Sequence, residues 1–252
     1  MSNLKKITLT ENLYQYQFPP FPNQHFGFNI YALIDGNHAM LIDTAFEAQA
    51  KAVRDDLLAA GITITAVVFS HFHPDHISGL PMLNSPQIYG SGHYQTSLDQ
   101  YTAKDKHSLF SGIKVVDDQS KLQFGRFELG FKPIQGHVIC GLLTLINDEF
   151  VHVADDVMTS NDGRPLLPSV HISNVHKHID SLEQLKQLAE RTLLLSHGNA
   201  ISGKAEVLRA IACRQQYLQN LASHAGKISI EAALAGCQCD FLHQDWHNHV
   251  YT

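Results

Sequence analysis

The strongest chemical signal in the chain is Ser70-His71-Phe72-His73-Pro74-Asp75-His76, where three histidines and an aspartate fall within six positions. Neutral imidazole is a good zinc ligand, and a carboxylate can complete or bridge a metal site. The segment follows the apolar run Ala66-Val-Val-Phe69 and precedes Ile77-Ser78-Gly79, so it occupies a strand-to-helix turn. His71 and His73 share a face in the extended part, because alternate side chains do. Asp75 and His76 sit where the chain turns toward a helix and can aim at a second point nearby. Two points, each served by two residues of one turn, suggest a two-metal centre. A purely structural role would bury these polar groups without partners, at a cost of several kcal/mol.

Such residues need strand ends to present them, and the surrounding pattern provides two sets. Ile30 to Ile34, the turn Asp35-Gly36-Asn37 and Ala39 to Ile42 read as a β-hairpin ending in Asp43. Glu47 to Ala60 has helical spacing through Ala50, Val53, Leu57 and Leu58 and stops at Gly61; the strand 66–69 then ends at Ser70-His71. The order recurs: Leu142 to Ile146, a turn at Asn147-Asp148, Phe150 to Ala154, then Asp155, a helix from about Ser181 to Glu190, and the strand Thr192 to Leu195 ending at Ser196-His197. Further strands are expected at 87–90, 113–116 and 122–134, with Gly125 and Gly130 as turn residues. Residues 1–29 read as turn-rich and irregular around Phe18-Pro-Pro-Phe-Pro22. Beyond Lys204 a helix is expected to about Gly226, with a second from Ser229 to Ala235. The coarse reading is a mixed α/β chain, helices at both ends and strands between, whose two halves face each other with strand ends at a common edge.

The bulk composition narrows the function classes. With 252 residues, 44% hydrophobic and 17% charged, the chain is an ordinary globular protein able to bury a substantial core. A net charge of −6 without a basic run lacks the footprint of a nucleic-acid partner. No stretch approaches about 18 consecutive apolar residues, so no membrane span is expected. No signal peptide is recognised, and the cytoplasm is the default location. The four cysteines are too few and irregular for a disulfide framework, in agreement with a reducing compartment. Seventeen histidines is well above ordinary usage.

His71-x-His73-x-Asp75-His76 after a buried strand resembles the signature of the metallo-β-lactamase superfamily. That family's pattern continues with a Gly-His, an Asp after a hairpin and a final His after a strand, and Gly136-His137, Ala154-Asp155 and Ser196-His197-Gly198 follow in that order. Leu41-Ile-Asp43-Thr-Ala45 is similar to its Leu-Ile-Asp-Thr-Gly element, with alanine in place of glycine. The resemblance spans about residues 30 to 200 and implies an αβ/βα four-layer sandwich, two mixed sheets packed between outer helices. One such domain would cover 1–252, with 203–252 as a helical C-terminal extension packed on it.

The resemblance also implies roles. His71, His73 and His137 would hold one metal, and Asp75, His76 and His197 the other. Asp155 would bridge them, chosen over Asp156 because Ala154 stands where the family has glycine. Asp43 would orient a ligand histidine, and Asp75 would act catalytically by orienting the nucleophile or shuttling its proton. The implied protein is a glyoxalase II-like or lactonase-like binuclear hydrolase. It would carry two Zn2+ per chain (Mn2+ or Fe fit the same ligands) and cleave an ester, lactone, thioester or amide through a metal-bridging hydroxide. The alternative is a mononuclear iron sulfur-oxygenase of the persulfide dioxygenase type. True zinc β-lactamases differ, since they usually lack the Asp75-His76 pair. Lactonases of the family often carry a tyrosine shortly after the bridging Asp, and Asp156-Val-Met-Thr159 offers none. The partner is a small-molecule substrate, whose binding residues the sequence does not name; the oligomeric state stays open, a homodimer included.

Three further features get quieter readings. Cys140 reads as a small buried hydrophobe. His171, His176 and His178 read as exposed loop histidines. The run from Cys237 to His249 matches no familiar zinc spacing and reads as a tail packed near the active-site mouth.

Overall fold

The computed structural model describes residues 4–224 and 227–250. One sheet contains, in spatial order, β1 (Lys5–Thr10), β2 (Leu13–Gln17), β3 (Asn29–Asp35), β4 (His38–Ile42), β5 (Thr63–Val68), β6 (Gln87–Ser91) and β7 (Lys114–Val116). Its first four strands are antiparallel neighbours and its last four parallel ones. The second sheet joins β8 (Lys121–Phe124), β9 (Phe127–Ile134), β10 (Gly141–Ile146), β11 (Phe150–His152) and β12 (Thr192–Leu194), antiparallel except for the β11–β12 pair.

Strand alternation assigns the layers. In β3, Ile30, Ala32 and Ile34 join Ala50, Val53 and Leu57 of α1 (Glu47–Ala59) in an outer core. Tyr31 and Leu33 point the other way, into a cluster with Met40, Ile42 and Val68 of their own sheet and Leu129, Phe131, Leu142 and Leu194 of the second. Both faces are buried, so β3 reads as a continuous apolar run. The far face of the second sheet is covered by α4 (Val175–Lys186) and α5 (Lys204–Ser223), through Val175, Leu182 and Leu185 against Val207, Ile211 and Leu218. Helices, sheet, sheet and helices give the four-layer αβ/βα sandwich. The remaining helices are α2 (Pro74–Ile77), α3 (Tyr94–Tyr101) and α6 (Ile230–Ala233). No helix among the described residues is long and apolar enough to cross a membrane.

The structure departs from the sequence reading in four places. The N-terminal stretch is not irregular: it forms the hairpin β1–β2, so the fold begins on strands rather than a helix. β1 is a half-exposed edge strand, bulged between Thr8 and Thr10, and its alternation Lys6-Ile7-Thr8-Leu9-Thr10 was a usable signal that went unread. Gly130 is no turn residue but lies within β9, paired with Leu145 and Lys121. Helix α4 starts at Val175 rather than Ser181, because His178 takes a core position in the spacing Val175, His178, Leu182, Leu185. Cys213 and Cys239 form a disulfide between α5 and the C-terminal segment, where no disulfide was expected; the fold brings together residues 26 apart in sequence. The expected helix end at Gly226 lies outside the described residues.

Candidate metal centre

Each chemically active residue hangs from the carboxyl end of a strand. β5 leads into Ser70-His71, β9 into Gly136-His137, β11 into Asp155 and β12 into His197. His73 keeps an extended backbone (φ −75°, ψ 153°), as the residue before a proline must, and Pro74 then opens α2 with its fixed φ. His71 and His73 therefore project from extended chain, whereas Asp75 and His76 project from a helical turn. Two glycines let neighbouring loops close in. A Cβ at Gly136 would lie 2.8 Å from the His178 Cα, and Gly198, at φ +87°, would drive one into the Thr159 carbonyl.

The seven sequence-predicted ligands converge. His73 Nδ1 lies 3.0 Å from His71 Nε2 and 3.1 Å from His137 Nε2. Opposite them, Asp75 Oδ2 lies 3.5 Å from His197 Nε2 and 3.7 Å from His76 Nε2. Between the groups stands Asp155 Oδ2, at 3.4 Å from His197, 3.5 Å from His76, 3.7 Å from His137 and 3.8 Å from His71. Ligands at the usual zinc–nitrogen distance span tetrahedral edges of about 3.3 Å, so these separations have the scale of coordination polyhedra. The donor atoms fall into three overlapping groups, each within 4.8 Å: His71, His73, His137; His71, His76, Asp155; and Asp75, His76, His197.

The opposite ring nitrogens are anchored. His137 Nδ1–H donates to the Ser169 carbonyl at 2.8 Å and His197 Nδ1–H to the Gly27 carbonyl at 2.9 Å. His76 Nδ1 bonds Asp43 Oδ2 at 2.8 Å, and Asp43 also accepts from the Ser70 backbone N–H at 2.8 Å and the Ser70 hydroxyl at 2.7 Å. Ser70 Oγ in turn lies 3.2 Å from His71 Nδ1. These bonds engage Nδ1 and leave Nε2 of His71, His76, His137 and His197 facing the centre.

Electrostatics tests whether cations belong here. His76 Nε2 and Asp155 Oδ1 are buried without a hydrogen-bond partner. Burial, then the neighbouring His137, pushes His73 down to about 3. Burial also holds His71 well below its ordinary value. Burial would lower His197 too, but Asp155 and Asp75 outweigh it and raise that ring to about 10. His76 is raised for the same reason, by Asp155, Asp75 and Asp43. Buried imidazoles beside buried carboxylates, with orphaned polar atoms among them, are what a divalent cation would satisfy. The residues fit a metal.

Asp156 does not join the donors. Its Oδ1 accepts from the His137 backbone N–H at 3.2 Å, and burial raises its carboxyl to about 6. His178 is fully buried in α4 and its Nε2–H donates to the Asp156 carbonyl at 3.1 Å, which corrects the exposed-loop reading. Cys140 is buried and accepts the Ser97 hydroxyl at 3.0 Å.

A cavity of about 600 Å³ opens beside His73 and His137, walled by Tyr101, Lys177, Trp246 and His249. Sequence reasoning missed Ser70 and Tyr101. Ser70 stood in the quoted motif and recurs as Ser196, which was a usable signal; Tyr101, on a short amphipathic helix far along the chain, carried none. It also missed Phe26, whose ring packs edge-on against His197 at 5.0 Å between centroids.

Fold and centre together define an αβ/βα sandwich with a candidate metal centre at its strand ends, and comparison with known proteins gives the family. Residues 26–197 match the sequence model of the Metallo-beta-lactamase superfamily. The chain belongs to that superfamily. It is 24% identical over 172 residues to a hydroxyacylglutathione hydrolase from Haemophilus ducreyi, covering 66% of this chain and 63% of that one. The match thus spans under two thirds of the curated relative. Among solved structures, a metallo-beta-lactamase from Pontibacter korlensis superposes with a TM-score of 0.70 at 12% identity, over 86% of this chain and 100% of the other. A mutant flavo di-iron protein from Thermotoga maritima gives 0.62 at 16%, over 86% and 63%. At these identities the structural likenesses establish the fold alone.

Proposed function

We propose that this protein is a binuclear metal-dependent hydrolase that cleaves an ester, lactone, thioester or amide bond of a small molecule. The observation that carries the reading is Asp155 Oδ2, which stands within 3.8 Å of four histidine nitrogens drawn from both donor groups. His71, His73 and His137 would hold one ion, Asp75, His76 and His197 the other, and Asp155 both. When bound, such ions acidify water to a nucleophile near neutral pH and polarise a carbonyl. The chain's own residues do the rest. Asp75 keeps 29% of its side chain exposed against 6% for Asp155, so of the two carboxylates it is the one within reach of a nucleophile or substrate to be oriented. Asp43, through Ser70 and His76, holds the rings in register.

Zinc is the proposed metal, and the test is metal content of protein purified without chelator, by elemental mass spectrometry. About two zinc or manganese ions per chain would support the reading; a single iron would overturn it in favour of the sulfur-oxygenase. Hydroxyacyl-glutathione thioesters head the substrate screen because of the named relative, followed by lactones and simple esters. A cytoplasmic location belongs to the same proposal. The Cys213–Cys239 pairing pulls against it, since disulfides persist in oxidising compartments. Thiol titration of the unfolded protein without reductant decides: four free thiols favour the cytoplasm.

A further inference from the structure

A second cavity, of about 170 Å³, lies beside the metal centre and differs from the first in kind. Its walls are mostly apolar, with Pro74, Ile77 and Pro81 facing Tyr101, Leu109 and Phe110, and the polar Ser78 and Thr102 and the exposed Lys106 complete the lining. Pro74 is the chain neighbour of both His73 and Asp75, so the cavity begins one residue from the donor cluster. The Tyr101 ring stands edge-on against the His73 ring, 4.5 Å between centroids, and lines both cavities. It therefore stands between a more polar chamber and a mostly apolar one, whose charged wall residue, Lys106, is solvent-exposed.

Two of the cavity's walls are themselves unusual. Tyr101 and Leu109 are 40% and 41% exposed, and they are two of only five large hydrophobic residues left so among the described residues. Apolar side chains concentrated at the mouth of a site, instead of scattered over the surface, mark a binding surface. The volume sets the size of the guest. An apolar cavity of about 150 Å³ admits a benzene molecule, so this one holds an apolar group of roughly six carbons. The polar chamber, with the Lys177 ammonium in its wall, suits the half of the substrate that leaves carrying charge.

We propose that the apolar cavity is an acyl-chain subsite, and that the substrate is an ester or thioester of an apolar acid of about six carbons. The acyl chain lies between Pro74 and Leu109, and the polar leaving group lies across Tyr101. The inference rests on the hydrolase reading for its chemistry but not for its cavity.

The test uses the metal-loaded protein and an acyl series, from acetyl to dodecanoyl, on one leaving group. The ratio of kcat/KM for hexanoyl over acetyl is expected near 100, from four added methylenes of which most are buried, with no further rise at dodecanoyl. Ala103→Trp, at an exposed cavity wall, fills the space and should lower that ratio at least tenfold; Leu109→Glu, also exposed, should do the same by placing a charge there. Calorimetric binding of hexanoate against acetate gives a readout independent of turnover, and both variants should erase the preference. A hexanoyl-to-acetyl ratio and a hexanoate preference that survive both substitutions would overturn the subsite. Failure of the wild type to cleave any member of the series would overturn the acyl substrate proposed here, while the hydrolase reading falls on metal content and hexanoate binding decides the cavity.

Discussion

The two halves of the molecule run through the same order of elements and end in carboxylates with opposite roles. In the first, β4 leads into Asp43, α1 follows, and β5 leads into Ser70-His71; in the second, β11 leads into Asp155, α4 follows, and β12 leads into Ser196-His197. Asp43 takes a left-handed backbone itself (φ 60°), whereas beside Asp155 the preceding Ala154 does (φ 49°). That difference of one residue goes with a different environment for each carboxylate. Asp43 has both oxygens engaged by Ser70 and His76, while Asp155 keeps Oδ1 unpartnered and its Oδ2 among four imidazoles. A satisfied buried carboxylate orients its neighbours; an unsatisfied one is available to a cation. The same supersecondary pattern thus supplies both a clamp and a ligand.

The comparison breaks most visibly at Asp155. Asp155→Ala should remove at least one metal per chain and lower hydrolysis roughly a thousandfold or more, while circular dichroism stays native. Full metal content in that variant would mean the two carboxylates are not distinct. Asp43→Asn is the subtler probe. An amide can still accept from the Ser70 N–H, but its NH2 would face His76 Nδ1 and force the ring proton onto Nε2. Metal affinity should fall roughly 10–100-fold with little loss of folding stability, measured by competition with a chromogenic chelator. Unchanged affinity would reduce Asp43 to a scaffold residue.

Proton competition sharpens the contrast further. His197, raised to about 10 by Asp155 and Asp75, is protonated in the metal-free protein at neutral pH. Its imidazolium stabilises the metal-free fold in full below the ordinary value of 6.5, and that contribution is lost as pH rises through about 10. Metal binding runs the other way, because the ring must shed its proton first. Because His76 is raised by the same carboxylates and must shed a proton too, apparent metal affinity should climb at least tenfold per unit between about pH 7 and pH 9, while metal-free stability declines. Affinity flat across that window would show that neither His197 nor His76 is a ligand, and a slope that falls by about one in His197→Ala would assign its share.

How much of this was legible depended on how locally each signal was written. His71, His73, Asp75 and His76 sit in one turn and declared themselves through residue type and spacing. The strand pattern marked Asp155 and His197 as the ends of apolar runs, but their place in the ligand set, and His137 altogether, came from the family resemblance. The choice of Asp155 over Asp156 rested on Ala154 standing at a glycine position, and the positive φ there supplies the physical reason. β1 was missed although Ile7 and Leu9 alternate with polar neighbours on its half-exposed edge. The rest of what stayed hidden had no periodic context: His178 is a polar residue in an apolar register, and Tyr101 meets His73 only through tertiary packing. The Cys213–Cys239 contact is likewise set by where α5 docks, which no spacing rule encodes.

Ala45 and Ala154 offer the finest test of the two halves. Both adopt φ 49° and both are buried, at 1% and 2% exposure, at positions where the family resemblance places glycine. Left-handed backbone costs an alanine about 1–2 kcal/mol, which glycine would relieve. Against that, glycine forfeits a buried methyl worth about 0.8 kcal/mol and adds about 0.5–1 kcal/mol of unfolded-state entropy. The terms nearly cancel, so Ala45→Gly and Ala154→Gly should each leave stability within about 0.5 kcal/mol of wild type by denaturant unfolding. A gain well above that at Ala154 alone would mean the strain is greater beside the ligand carboxylate than beside the clamp. A loss of the same size at both would mean that methyl packing, not backbone conformation, sets the residue at these corners.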